Sequence, residues 1–172
     1  VAITTIALLM SAPLLAATAD LLDALASGTV AAEFRGTGGQ GVDAYLDRLR
    51  DGPEYVTISP GTQFWAQRGG LQGQTTLGWV PVRFGPDGVA SLTIPTACTN
   101  INRPAPGFED LMWPEPCPDN RMARLSATLR PDTDSVAAMQ LAVWAITNDP
   151  SRRALASHEA DMVGEELEAE AR

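Results

Sequence analysis

The chain has 172 residues, 45% of them hydrophobic and 19% charged, which is enough apolar material for one packed domain and rules out global disorder. Its net charge is −9, from 21 acidic residues and 12 arginines, so nucleic acid and anionic membrane surfaces are poor partners. One histidine and two cysteines exclude most self-contained zinc, haem and iron–sulfur centres, and no metal or cofactor is expected.

Residues 1–19 (VAITTIALLMSAPLLAATA) carry no charge and are apolar nearly throughout. The stretch ends in Ala17-Thr18-Ala19, the small-x-small pattern that signal peptidase reads, and Asp20 follows at once. It reads as a signal peptide without its basic n-region. Pro13 and the alanines and threonines weaken the competing reading as a membrane span. Export predicts a secreted or periplasmic protein, with membrane contact only through this segment if it stays uncleaved.

Asp20–Ser27 reads as a short helical turn stopped by Gly28. Thr29–Arg35 alternates, with Val30, Ala32 and Phe34 on one side, as a half-buried strand does. Gly36–Gly41 is a glycine-rich turn that lacks the lysine and strand-to-helix context of a phosphate loop. Val42–Arg50 fits a strand or a helix, and its strand neighbours favour the strand. Tyr55–Ser59, Thr62–Ala66, Thr75–Phe84 and Val89–Ile94 read as further strands. Pro60-Gly61, Gly69–Gly73 and Gly85-Pro86-Asp87-Gly88 punctuate them. Pro81 marks an edge or a bulge.

A proline-rich loop spans residues 99–118. Cys98 and Cys117 bracket it, and in an oxidising compartment an even cysteine count reads as a disulfide. Such a staple would remove about 3 kcal/mol of unfolded-state entropy. Helical spacing then returns in Asn120–Leu129 and in Asp134–Asn148, where Asp132 or Asp134 can cap the start. Asp149-Pro150 restarts a helix that runs into an acidic tail. From Glu159 onward six acidic residues face one arginine, so the rest of the chain holds 15 acidic and 11 basic residues, or −4. The organisation read from this is a leader (1–19), a folded domain (20–149) and an acidic helix or tail (150–172).

Candidate chemistry is sparse. His158, the only imidazole, sits on the polar C-terminal helix with no nucleophile motif beside it. Glu109 with Asp110, and Glu115 with Asp119, are the carboxylate pairs that a hydrolase would use. Asp132-x-Asp134 starts a calcium-type spacing that no ligand loop completes. Phe108, Met112 and Trp113 place apolar and aromatic groups among prolines, a composition suited to a contact surface; Trp113 could equally cover the core. Gln140, Trp144 and Thr147 share one helical side, where Trp144 can anchor the helix and Gln140 can bond a strand or loop backbone.

Two resemblances follow from these motifs. L-x-x-G-x-V at Leu25–Val30, S-P-G-T-x-F at Ser59–Phe64, A-C-T-N at Ala97–Asn100 and Q-L-A-V-W-A-I-T-N-D from Gln140 resemble a recurrent module of exported bacterial proteins. That resemblance implies a small β-sandwich followed by helices, and no reaction. Q-x-A-V-W-x-x-T from Gln140 also resembles the T-Q-x-A-I-W helix of thioester domains in surface adhesins, with Met139 in place of the threonine. It implies a Cys98–Gln140 thioester.

The expected fold is mainly β: a small antiparallel immunoglobulin-like β-sandwich, then two or three α-helices. Trp144, Val143, Leu141, Ile146, Leu92, Ile58 and Phe64 are its expected core. The expected function is an exported non-enzymatic binding module for a protein or surface partner. The alternatives are a thioester-bearing adhesin domain and a carboxylate-dependent hydrolase.

Overall fold

Residues 18–147 are described by the structure, a computed structural model. Within them the chain runs β1 (Thr18–Asp20), α1 (Leu21–Ala26), β2 (Val30–Gly36), β3 (Gly41–Arg48), β4 (Tyr55–Ile58), β5 (Gln63–Ala66) and β6 (Gln74–Thr76). It continues through β7 (Val80–Arg83), β8 (Val89–Cys98), β9 (Leu111–Glu115), α2 (Asn120–Thr128) and α3 (Val136–Thr147). No helix among the described residues is long and apolar enough to cross a membrane.

Period-two alternation builds the centre of the fold. Phe34, Val42, Ala44, Leu46, Phe64, Ile94 and Met112 are all buried and pack into one cluster. Their strands close into an antiparallel barrel in the order β2-β3-β8-β6-β5-β9, with β9 returning to β2. The ladders are staggered: β8 pairs with β3 over Val89–Pro95 and with β6 over Thr96–Cys98. That offset tilts the strands, as barrel closure requires. A separate sheet takes β1, β4 and β7, with β1 parallel and β7 antiparallel to β4. Val56, Ile58, Val80 and Val82 of this sheet share the barrel's core, together with Phe84 just after β7 and Leu21 and Ala24 of α1.

Among the described residues the immunoglobulin-like sandwich is therefore corrected to a closed six-stranded barrel with a small mixed sheet and three short helices. The physical reason lies in two segments. Leu111–Glu115, expected inside the proline loop, is strand β9 and joins the free edges of β5 and β2. Thr75–Phe84 is not one strand but two, broken at Gly78 with φ +66°, and its halves enter different sheets. The Gly85–Gly88 turn thus links β7 to β8 across two sheets rather than closing a hairpin. Pro81 sits on β7, an edge strand, where its missing N–H breaks no ladder.

Other expectations resolve residue by residue. Residues 41–48 are a strand. Ile58, Phe64, Val143 and Trp144 are buried, while Leu92, Leu141 and Ile146 are half-buried. Asp119 caps α2 by accepting from Arg121 N–H at 2.7 Å. The cap of α3 is corrected from Asp132 or Asp134 to Ser135, whose hydroxyl accepts from Ala138 N–H at 3.5 Å. Asp134 instead closes the preceding loop by accepting from Arg130 N–H at 2.6 Å. Thr18 and Ala19, the last residues of the expected leader, pair with Tyr55 and Val56, so cleavage after Ala19 would leave only Asp20 of β1. His158, the Asp149-Pro150 helix and the acidic tail lie outside the described residues.

Helices α2 and α3 cover the outer face of β8 and β6. Leu77, Ala97, Met122, Met139 and Val143 form a second buried cluster there, with Cys117, Leu125, Leu129 and Ile146 at its margin. At β8's last residue Gln140 replaces a missing neighbour strand. Its amide donates to Cys98 C=O at 2.7 Å and accepts from Cys98 N–H at 2.9 Å. Gln40 donates to the same Gln140 oxygen at 3.1 Å.

Candidate functional site

A groove of about 850 Å³ opens at one end of the barrel, between α1 and the seam where β9 returns to β2. The side chain of Asp20 fixes α1 there. It accepts from Leu22 N–H at 2.8 Å as the helix cap and from the Ser59 hydroxyl at 2.5 Å. Leu21 and Ala24 then face the core, which turns Leu22, Leu25 and Ala26 toward the groove. Ala32, Phe34 and Thr62 also line it, and the Phe34 ring rests on Phe64 at 5.1 Å between centroids. Trp113, Pro114 and Pro116 form the opposite wall.

The seam is open for a reason written in β9. Its ladder to β2 holds only Phe34↔Met112 and Arg35↔Leu111. Gly36 N–H donates to Asp110 C=O at 3.1 Å, and Gln67 N–H donates to Leu111 C=O at 2.8 Å. Even-numbered residues of this stretch therefore direct their backbone polar groups at β2, and odd-numbered ones at β5. The next even positions are Pro114 and Pro116, neither of which has an N–H. In the same alternation Ala32 faces β9, and its carbonyl meets no donor from Pro114. The β2–β9 ladder stops at the first of these prolines.

The charge of the groove is one-signed. Among the described residues Asp20 and Asp23 are its only charged lining residues, and no arginine lines it. The carboxylate of Asp20 is engaged by Leu22 and Ser59, whereas Asp23 is exposed at the rim. An apolar cleft of this size with few polar groups is the usual shape of a binding site, and the mouths of β-barrels are a usual place for one.

A second hollow, about 410 Å³, is lined by Trp65, Gln63, Asn100, Arg103, Asp119 and Met122 among others. Trp65 and Trp113 are exposed register partners, Trp113 lining the first cleft and Trp65 the second. The Trp65 ring lies so close to Gly73 that a Cβ there would stand 2.6 Å from it.

The expected contact surface Phe108, Met112 and Trp113 is only partly brought together. Trp113 is 58% exposed and lines the groove. Met112 is buried in the barrel core and is corrected from surface to core, since β9 turns it inward. Phe108 is exposed but does not line the groove; its carbonyl holds Arg35 at 3.1 Å. Gln140 and Trp144 are buried, and Thr147 donates to Val143 C=O at 3.1 Å.

One member of each carboxylate pair is committed elsewhere. Asp110 is buried, accepts from Gly107 N–H at 2.8 Å and pairs with Arg68 at 3.0 Å. Glu109 and Glu115 are exposed. Asp119 caps α2, and hydrogen bonds from Arg121 hold its carboxyl below the usual range. No group of three or more His, Cys, Asp or Glu that could hold a metal comes together among the described residues.

The expected Cys98–Cys117 disulfide is corrected: both cysteines are free. Cys98 pairs with Gln74, Gln74 with Phe64 and Phe64 with Pro114, so three strand spacings, about 14 Å along the sheet, lie between Cys98 and β9. A disulfide needs Cα atoms within roughly 7 Å. Gln74 donates to the Cys98 sulfur at 3.6 Å, and burial pushes this thiol from its ordinary 9.0 up to about 11. The half-buried Cys117 thiol donates to Asp119 C=O at 3.2 Å, and its sulfur would stand 3.0 Å from a Cβ at Gly61, whose φ is +82°. We expect iodoacetamide to modify Cys117 in the folded protein and to spare Cys98 until denaturation or a pH near 11. Intact mass should show no gain on reduction and no adduct with methylamine. Gain on reduction would restore the staple, and a methylamine adduct would restore the thioester.

The fold and the groove together define a class: a small closed β-barrel domain flanked by helices, with an apolar, acid-rimmed cleft at a proline-opened seam. No family model, curated protein or solved structure matches the chain. The groove's signals in the sequence were the alternation of Ala32 with Phe34 and the Trp-Pro-x-Pro run at 113–116. Sequence reading missed it because Trp113 stands about 80 positions from β2 and about 90 from α1.

Proposed function

We propose that this protein is an exported, non-enzymatic binding module whose ligand occupies the groove between α1 and the β2–β9 seam. The observation that carries the reading is the exposed Trp113 standing beside an apolar cleft of about 850 Å³. A large exposed indole next to a preformed concavity suits binding, because ligand contact removes apolar area from water at little ordering cost. The engagement of Asp110 and Asp119 in ion pairs and caps weighs against the hydrolase. The Gln140 amide spends both its atoms on the Cys98 backbone, which weighs against the thioester.

The neutral fluorescent probe N-phenyl-1-naphthylamine tests the groove. It should bind with enhanced emission, and Trp113→Ala should weaken it roughly tenfold through lost apolar contact. Ala32→Trp, which fills the cleft, should abolish it without lowering the melting temperature by more than a few degrees. Equal probe binding by both variants and the parent would overturn the reading.

A further inference from the structure

We propose that the groove's occupant is an extended peptide segment of a partner protein, with alternating apolar side chains and a lysine or arginine at one end. The inference rests on the reading of the groove as a binding site and goes on to name what fills it. Three features converge on this chemistry.

The first is the β2 edge. Ala32 directs its backbone toward the seam, and the register offers its carbonyl Pro114, which has no donor. A half-buried strand carbonyl without a ladder donor is an acceptor for an incoming N–H, the geometry of strand addition. The second is the spacing of the prolines. Pro114 and Pro116 both fall where β9 would otherwise zip onto β2, so the opening is maintained by residues that cannot close it. The third is the lining. Phe34, Leu22, Leu25 and Trp113 suit apolar side chains at every second position of an extended chain. Asp23 at the rim, with no basic residue lining the groove among the described residues, suits a cation at one end. An apolar small molecule would satisfy the lining but neither the carbonyl nor the acidic rim.

The test uses the full chain and an acetylated, amidated peptide of sequence Ser-Leu-Thr-Val-Lys-Ser as competitor of N-phenyl-1-naphthylamine. The peptide should displace the probe. N-methylation at alternate positions should weaken competition at least tenfold at one parity and little at the other, because only one parity points N–H groups at β2. Replacing the peptide lysine by glutamate should weaken it several-fold at low salt, and Asp23→Asn should erase that difference. Pro114→Thr restores a donor opposite Ala32 and should abolish competition while keeping or raising thermal stability. If the probe binds and the peptide does not displace it, or N-methylation is indifferent at every position, the peptide is overturned while the groove stands. If the probe itself fails to bind, both readings fall together.

Discussion

Phe64→Ala should lower the unfolding free energy by about 4 kcal/mol, the range for truncating a fully buried aromatic side chain in a core that cannot collapse around the void. Phe64 has no exposed surface, and its ring meets Phe34 at 5.1 Å with a 55° tilt. Its strand β5 also holds β9 in the barrel through four register pairs. Loss of the ring therefore loosens the core and the strand that closes it. Chemical unfolding measures the effect, with a melting temperature lower by more than ~10 °C as the companion signal. Because Phe34 lines the groove and rests on Phe64, probe affinity should fall in whatever fraction remains folded. A destabilisation under about 1 kcal/mol would mean that the barrel interior is not the load this ring carries.

Gln140→Leu should cost about 3 kcal/mol. The glutamine is 2% exposed, and its amide satisfies both the N–H and the C=O of Cys98, two groups that no strand reaches. Leucine fills similar space and leaves both backbone groups buried without a partner, each penalised by roughly 1–3 kcal/mol. Gln40→Ala removes only one further bond to the same oxygen and should cost less than about 1 kcal/mol. Comparable effects for the two substitutions in urea unfolding would show that Gln140 acts by packing rather than by substituting for a strand. The substitution also separates the two roles a glutamine beside a cysteine can have. A hydrogen-bonding residue affects stability alone, whereas a thioester partner would change the methylamine reactivity of the parent.

Much of the local structure was legible. Val30, Ala32 and Phe34 alternate along β2, and that period is enough for a strand wherever one face is buried, whereas 42–50 fits a strand or a helix and only its strand neighbours favour the strand it forms. The helices after residue 119 were legible from their spacing, but their caps were not: Asp119 caps α2 and Ser135 caps α3. Pro81 announced an edge or a bulge, and β7 is an edge strand. Met112 and Leu111–Glu115 were hidden because three prolines lie at 114, 116 and 118, and prolines read as loop. A strand tolerates a proline on the side where it has no partner, and which side that is depends on the neighbour, not on the segment.

The cysteines and the groove were hidden for the same kind of reason. Compartment and count argue for a disulfide, but the decision belongs to the distance between strands. Trp113 was visible as an aromatic residue among prolines, whereas the opposite wall comes from α1, some ninety positions away.

Composition, alternation and helical spacing by themselves determined that this chain is an acidic, strand-rich protein ending its described part in two helices, because those features depend on residues within a few positions of one another. Only the tertiary structure decided that the strands close into a barrel, that Cys98 and Cys117 stay apart, and that a cleft opens beside Trp113. Each of those depends on the register between segments distant in the chain, and register is set by packing and by which strands lack an N–H to give.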